Sequence, residues 1–348
     1  MMTGTSETRP CVYVGNAETN DIHVFHLDAD TGELGFVHAA AIPDVGTAGT
    51  SSPLAIRPDK RVLIVGIRGE PMFAASFRID ARTGKLAHVA NGPLPDRMAY
   101  LVTDRTGRFL LSASYTGHKI AVSPLAPDGR VEAPIQILST EPHAHAILPD
   151  PGNRFVLATS LGGDLLLQFR FDATTGRLTP HEPPALRVHA HAGPRHFAFH
   201  PTKKWVYLLN ELDASVCVAG YDTVQGLLSV LQTVSALPPD FRGEPSAADL
   251  HLTPDGRFLY ASERGSNTLA GFRVDPTTGT LSAIGHTPTE EQPRGFNVDP
   301  SGRMLLAVGQ RSHRLSTYRI DPDSGSLTWL RAYPVGRNPN WVEIIRLP

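Results

Sequence analysis

The sequence has few of the features that mark secreted, membrane-bound or nucleic-acid-binding proteins. Its only two cysteines, Cys11 and Cys217, lie in separate apolar runs, and we interpret both as buried free thiols rather than as a disulfide. The 32 Lys and Arg residues nearly balance the 34 Asp and Glu residues and form no basic stripe, which argues against nucleic acid or membrane partners. No apolar run is long enough to span a membrane or to form a signal peptide, and we therefore expect a cytoplasmic protein.

Helical periodicity is also missing, whereas turn-forming residues are abundant. The 348 residues include 31 glycines and 30 prolines, and 41% of the chain is hydrophobic. This composition supports a large core and suits a chain of short strands joined by many turns.

One phrase occurs seven times: an apolar run, an aspartate, a short turn, a glycine and, two positions later, an apolar residue. Clear copies are LDADTGEL, FDATTGRL and VDPTTGTL, and the seven glycines are Gly32, Gly84, Gly129, Gly176, Gly226, Gly279 and Gly325. The aspartate caps a turn in which glycine takes a positive φ, so each copy predicts a β-hairpin. The spacing of 45 to 53 residues is typical of four-stranded propeller blades.

A second phrase, a tight turn followed by a fully apolar strand, has six copies, such as TPDGRFLYASE and DPSGRMLLAVG. We assign the missing seventh strand to residues 9–16, and expect residues 340–347 to supply its outer partner strand, because a closed ring leaves no free sheet edge. The sequence therefore predicts one all-β domain over residues 1–348. It is a seven-bladed β-propeller with four-stranded antiparallel blades, and the two ends of the chain share one blade.

Polar residues that interrupt the repeat are the candidates for function, because equivalent positions in successive blades converge on one axis. His143 and His145 are two apart, and on a strand they would face the same way. The candidates for the common pocket are His143, Arg195, Glu211, Asp249, Arg264 and Arg294, with His196, His251 and Gln310 beside them. Arginines suit an anionic substrate, and His and Glu supply acid and base groups.

Each candidate has a structural alternative. Arg and Glu beside apolar strands also form ion pairs between blades, and the histidines between 181 and 200 lack the spacing of a metal site, so we expect no metal and no cofactor. The proline-rich segment 236–246 fits either a rim insertion over the pocket or an inert surface loop.

Several motifs together resemble those of the propeller-type 6-phosphogluconolactonases, a cycloisomerase-like family that also contains the fungal enzyme that closes carboxymuconate into a lactone. The motifs are PHAHAILPDP, GPRHFAFHP, YLLNEL, ADLHLTPDGRFLYASER and QPRGFNVDPSGRMLLAVGQRSH. The resemblance implies a catalytic set of His143, Arg195, Glu211 and Arg264, with Arg294 as a further substrate contact. Ser160 stands where some relatives carry an acidic residue, so no role is transferred to that position.

The predicted function is hydrolysis of a sugar lactone, 6-phosphogluconolactone in the first place. Arginine would stabilise the oxyanion, and Glu211 and His143 would exchange the protons. His196, Asp249, His251 and Gln310 are predicted to bind the substrate. The alternatives are a muconate-type lactonising enzyme, a lactonase for another lactone, and a non-catalytic propeller that binds proteins. The partner expected is a small anionic lactone, and the chain is expected to be a monomer or a small homo-oligomer.

Overall fold

A computed structural model describes residues 9–202 and 204–348, and this part of the chain consists of 28 strands in seven four-stranded antiparallel sheets. Residues 1–8 and 203 of the predicted domain lie outside the described residues. The predicted seven-bladed propeller is confirmed.

Each blade runs from an innermost strand at the axis to an outermost strand at the rim. In that order, blade 1 contains β28 (Pro339–Ile345), β1 (Cys11–Asn16), β2 (Asp21–Leu27) and β3 (Leu34–Ala41), and blade 2 contains β4 (Leu54–Ile56), β5 (Val62–Ile67), β6 (Phe73–Ile79) and β7 (Leu86–Pro93). Blade 3 contains β8 (Met98–Thr103), β9 (Phe109–Ser114), β10 (Lys119–Pro124) and β11 (Gln136–Ser139), and blade 4 contains β12 (Ala144–Pro149), β13 (Phe155–Ser160), β14 (Leu165–Asp172) and β15 (Arg177–Arg187). Blade 5 contains β16 (Pro194–Phe199), β17 (Trp205–Asn210), β18 (Ser215–Tyr221) and β19 (Leu228–Ser235), and blade 6 contains β20 (Ala247–Leu252), β21 (Phe258–Glu263), β22 (Thr268–Val274) and β23 (Leu281–Pro288). Blade 7 contains β24 (Pro293–Val298), β25 (Met304–Gly309), β26 (Arg314–Ile320) and β27 (Leu327–Pro334).

The ring closes through the two ends of the chain, as predicted, but not with the strand positions expected. β28 is the innermost strand of blade 1, and β1 pairs with it from Cys11–Ile345 to Asn16–Pro339. The expectation of an outer partner strand is therefore wrong. β28 contacts β24 and β4, the inner strands of the neighbouring blades. The C-terminal segment therefore supplies the innermost strand of blade 1, whereas in each other blade all four strands are consecutive in the sequence.

Every residue in the second strand of each blade is buried, which is why this strand is mostly apolar in sequence. The hairpin glycines pack against the first residue of this strand in the preceding blade. A Cβ on Gly226, for example, would lie 2.4 Å from Cδ1 of Phe155, and φ of Gly226 is +76°. The repeat phrase therefore specifies both a turn and the contact that joins one blade to the next.

Replacement of Gly226 by alanine is expected to lower the free energy of unfolding by about 2–4 kcal/mol, because the added Cβ is strained at positive φ and overlaps the Phe155 ring. Urea unfolding of both proteins would measure the change. Gly35→Ala is the matched control, since a Cβ there meets nothing within 4 Å, and its effect should stay within about 0.5 kcal/mol. Equal midpoints for Gly226→Ala and the control would contradict the proposed packing.

Candidate active site

Several inner strands contain a β-bulge near their start, and side chains at these bulges point toward the central axis. The pairing register shifts between Ala144 and Ile147 in β12, between Pro194 and His196 in β16 and between Pro293 and Gly295 in β24. A bulge turns a side chain out of the normal alternation. The side chains within these shifts, His145, Arg195 and Arg294, all line one cavity of about 290 Å³.

A second set of lining residues occupies one fixed place in four blades, directly after the buried second strand. These residues are Arg68 after β5, Tyr115 after β9, Glu211 after β17 and Arg264 after β21. Thr50 and Thr116 complete the lining. We call this space the arginine cavity, because four of its nine lining residues are arginines.

Glu211 lies between two of the arginines. Its Oε2 is 2.9 Å from Nε of Arg195, and its Oε1 accepts a 2.8 Å hydrogen bond from Nη2 of Arg264. Arg195 is 1% exposed and its Nη1 also donates to the carbonyl of Ala248. Burial alone would raise the pKa of Glu211, but the charges of Arg195 and Arg264 and the hydrogen bond from Arg264 lower it below its usual value. Glu211 is therefore an ionised group that holds two guanidinium groups in place.

Arg68 and Arg294 have no carboxylate partner among the described residues. The arginine cavity thus holds four guanidinium groups and a single carboxylate, a net formal charge of +3. Burial, and then the charges of Arg195, Arg264 and Arg68, lower the pKa of Arg294 well below its usual value. Such mutual repulsion favours the binding of an anion, which would relieve it.

His145 is the neutral base of the cavity. It is 4% exposed, and burial, followed by the charge of Arg195, lowers its pKa well below the usual value, with further contributions from His196, Arg294 and Arg68. Its Nδ1 is buried without a hydrogen-bond partner in the described part of the chain. The ring therefore carries no charge at neutral pH and can accept a proton.

His143 does not line the arginine cavity. It precedes β12 with φ of +63°, and its backbone N–H donates to Nδ1 of His118. Its ring stacks on Tyr115 with the centroids 4.2 Å apart. The premise that both residues lie on a regular strand is wrong, because His143 precedes β12 and His145 lies in the bulge, although both rings contact Tyr115.

Three other candidates meet at a second cavity further along the axis, of about 210 Å³, which we call the histidine cavity. Nδ1 of His196 lies 2.8 Å from Oδ1 of Asp249, and Nε2 of His251 lies 3.2 Å from Oδ2 of the same carboxylate. Tyr100 and Arg105 also line this space. His196, Asp249 and His251 therefore lie together around the histidine cavity, whereas the predicted common pocket with Arg195, Arg264 and Arg294 is not formed, because those arginines line the arginine cavity.

The remaining candidate, Gln310, lines neither cavity, and its Nε2 donates to Oδ1 of Asn338 at 2.7 Å. The segment 236–246 is a loop, and its end touches the site: the carbonyl of Ser246 accepts a 2.9 Å hydrogen bond from Nε of Arg264. Both cysteines are free and buried, as predicted.

The described residues provide neither a metal site nor a membrane-spanning helix. No group of three His, Cys, Asp or Glu side chains among residues 9–202 and 204–348 is placed to hold a metal ion. Within the same ranges there is also no helix of the length and hydrophobicity needed to cross a bilayer.

Sequence reasoning missed Arg68, Tyr115 and the two threonines, and it named His145 only as the neighbour of His143 without including it among the pocket candidates. Arg68 and Tyr115 carried a usable signal, since each directly follows a buried second strand, as Glu211 and Arg264 do. The entry of His145 into the cavity could not be read from the alternation of residues along the strand, because it depends on a bulge.

Comparisons with known proteins agree with this fold. Residues 12–344 match the family model "Lactonase, 7-bladed beta-propeller". The chain is 44% identical over 337 residues to a 6-phosphogluconolactonase from Serratia proteamaculans, covering 96% of this chain and 98% of the relative. It is 42% identical to the protein of the same name from Pectobacterium carotovorum, covering 97% and 98%.

Superposition on a solved structure supports the same fold. The periplasmic gluconolactonase of Pseudomonas aeruginosa superposes with a TM-score of 0.89 at 29% identity, covering 97% of this chain and 99% of that one. The match of the family model over almost the whole chain, together with these full-length relatives, shows that this chain belongs to the seven-bladed β-propeller lactonase family.

Proposed function

We propose that the chain hydrolyses 6-phosphogluconolactone to 6-phosphogluconate in the arginine cavity. The observation that carries the proposal is the composition of the lining, four guanidinium groups around one carboxylate and one neutral imidazole. The names of the full-length relatives support the same substrate.

Arg68 and Arg294 are the groups proposed to bind the phosphate. Neither has a carboxylate partner among the described residues, and Nη1 of Arg68 is oriented by a 2.8 Å hydrogen bond to Oγ of Ser51. Planar guanidinium groups bind phosphate oxygens through paired hydrogen bonds. A dianionic phosphate would offset most of the net charge of the cavity.

Arg195 and Arg264 are proposed to stabilise the oxyanion that forms when water attacks the lactone carbonyl. Glu211 fixes both groups before the substrate arrives, and prearranged charges of this kind lower the barrier because they need no reorganisation. In this scheme Glu211 positions the arginines and is not the base, because both of its carboxylate oxygens are already engaged by Arg195 and Arg264.

His145 takes the place that the sequence assigned to His143. Its imidazole accepts a proton from the attacking water, the hydroxide adds to the carbonyl carbon, and the bond from that carbon to the ring oxygen breaks. The protonated imidazole then returns the proton to the leaving ring oxygen, which becomes the hydroxyl group of the open acid. No other group on the cavity lining is a neutral base.

Substitution of Arg294 by methionine is expected to raise KM for 6-phosphogluconolactone by about tenfold to a hundredfold, with a smaller effect on kcat, because a phosphate contact is removed far from the reacting carbonyl. The measurement is initial-rate kinetics on phosphorylated and unphosphorylated gluconolactone and on a muconate, each with and without a chelator. Arg311→Met, at an exposed arginine paired with Glu291, is the control and should not change KM.

Turnover of the unphosphorylated lactone with equal kcat/KM would contradict the phosphate assignment, and lactone formation from the muconate would favour the lactonising alternative.

Because a sugar phosphate does not cross membranes unaided, the proposed substrate also favours a cytoplasmic location. Cell fractionation would test that location, which matters because one solved relative is named a periplasmic enzyme.

A further inference from the structure

His145 and His196 lie next to each other on the axis, one on each cavity. Their ring centroids are 5.0 Å apart with an angle of 63° between the rings. His145 lines the arginine cavity and His196 lines the histidine cavity, so the two rings form the boundary between these spaces.

Asp249 determines which nitrogen of His196 carries the proton. Burial alone would raise the pKa of Asp249, but His251 and His196 lower it far below its usual value, so the carboxylate can only accept hydrogen bonds. Nδ1 of His196, at 2.8 Å from Oδ1 of Asp249, must therefore bear the hydrogen. Burial, with the charge of Arg195, lowers the pKa of His196 to about 4, which leaves Nε2 as an unprotonated acceptor at neutral pH.

That acceptor is buried and has no hydrogen-bond partner among the described residues, and the same holds for Nδ1 of His145. At a centroid separation of 5.0 Å, ring orientations that turn these two nitrogens toward each other would bring them to about 3 Å, the usual hydrogen-bond length. Nε2 of His196 needs a donor, and Nδ1–H of His145 is a donor in one of the two neutral tautomers. One hydrogen bond would therefore satisfy both buried nitrogens.

We infer that His196 and Asp249 are positioning residues that hold His145 in its Nδ1–H tautomer, so that Nε2 of His145 presents a lone pair to the arginine cavity. The inference rests on the proposed function for the step that this lone pair performs. When His145 accepts the proton of the attacking water at Nε2, the imidazolium keeps its Nδ1–H, which donates to Nε2 of His196. Asp249 stabilises this pair by accepting the hydrogen bond from Nδ1 of His196. The proton then returns from Nε2 to the leaving oxygen, and no proton is gained or lost along the chain.

The tautomer can be measured directly by long-range ¹H–¹⁵N NMR on ¹⁵N-histidine-labelled protein without substrate, with the His145 signals identified by their loss in His145→Phe. We expect protonated Nδ1 and unprotonated Nε2 for His145. An Nε2–H tautomer, or a mixture of the two, would overturn the inference.

The kinetic test uses His196→Phe, which keeps a ring in the same space and removes its nitrogens. We expect kcat to fall about tenfold to a hundredfold, less than the loss of the acid–base group itself would cause, since general acid–base catalysis contributes about 10²–10⁴-fold, while KM changes little. His181→Phe, which replaces a histidine of similar burial in the outer strand of blade 4, is the matched control and should leave kcat unchanged.

A double-mutant cycle separates positioning from folding effects. If His196 acts through His145, adding His196→Phe to His145→Phe should lower kcat no further. A full additional loss in the double variant would show that His196 acts independently and would overturn the inference. An Nδ1–H tautomer in a protein that opens no lactone would instead support the hydrogen-bond chain and refute the proposed function.

Discussion

Glu211→Gln is expected to lower kcat/KM for lactone opening by about 10³-fold, the upper end of what a single electrostatic group contributes to a rate. The carboxylate holds Nε of Arg195 at 2.9 Å and Nη2 of Arg264 at 2.8 Å, and a neutral amide cannot hold two cations side by side. The four arginines of the cavity would then repel one another without compensation, and both proposed oxyanion ligands would move apart.

Steady-state kinetics, together with thermal unfolding to confirm that the variant is folded, would measure this effect. Glu290→Gln provides the control, because this glutamate contacts Ser316 and lines neither cavity. Full activity of Glu211→Gln would refute the assignment of this site.

Arg195→Lys is expected to lower kcat about a hundredfold or more while the protein remains folded. Arg195 is 1% exposed and pairs with both Glu211 and the carbonyl of Ala248. Lysine keeps the positive charge, but its single nitrogen cannot meet both partners in the geometry of the guanidinium group. The loss should therefore appear in kcat, where transition-state contacts act, rather than in KM.

Arg57→Lys is a suitable comparison, since Arg57 pairs with Asp59 and donates to Pro127, and lines neither cavity. Both variants would be assayed at saturating phosphorylated lactone. Retention of wild-type kcat by Arg195→Lys would show that charge alone suffices and that the precise orientation of this arginine is not used.

The architecture was predictable because one physical requirement is repeated seven times. Each hairpin needs a glycine at positive φ, and each second strand is buried on both faces, so both features appear as fixed phrases in the sequence. Glu211 and Arg264 were found for the same reason, since they follow strands whose ends are clear from the apolar run.

Positions that depend on irregular backbone were not predictable in this way, and Arg195 and Arg294, which also lie in bulges, were found only because they interrupt the repeat. The bulge in β12 turns His145 into the arginine cavity, whereas simple alternation placed His143 beside it. A separate cavity forms around His196, Asp249 and His251 because these residues lie at a different level along the axis from the arginines. The pattern of residues in a single strand does not reveal the level at which each side chain meets those of other blades.

The closure of blade 1 also determines how the ring responds to mechanical force. β1 and β28 are antiparallel, and Cys11 pairs with Ile345, so the two ends of the chain leave the pair on the same side. Tension on the two ends would break the cross-strand hydrogen bonds one after another from that side, because each is loaded along its own direction. An unfolding machine that pulls on both ends would therefore peel the closing pair open bond by bond instead of shearing all of its bonds at once.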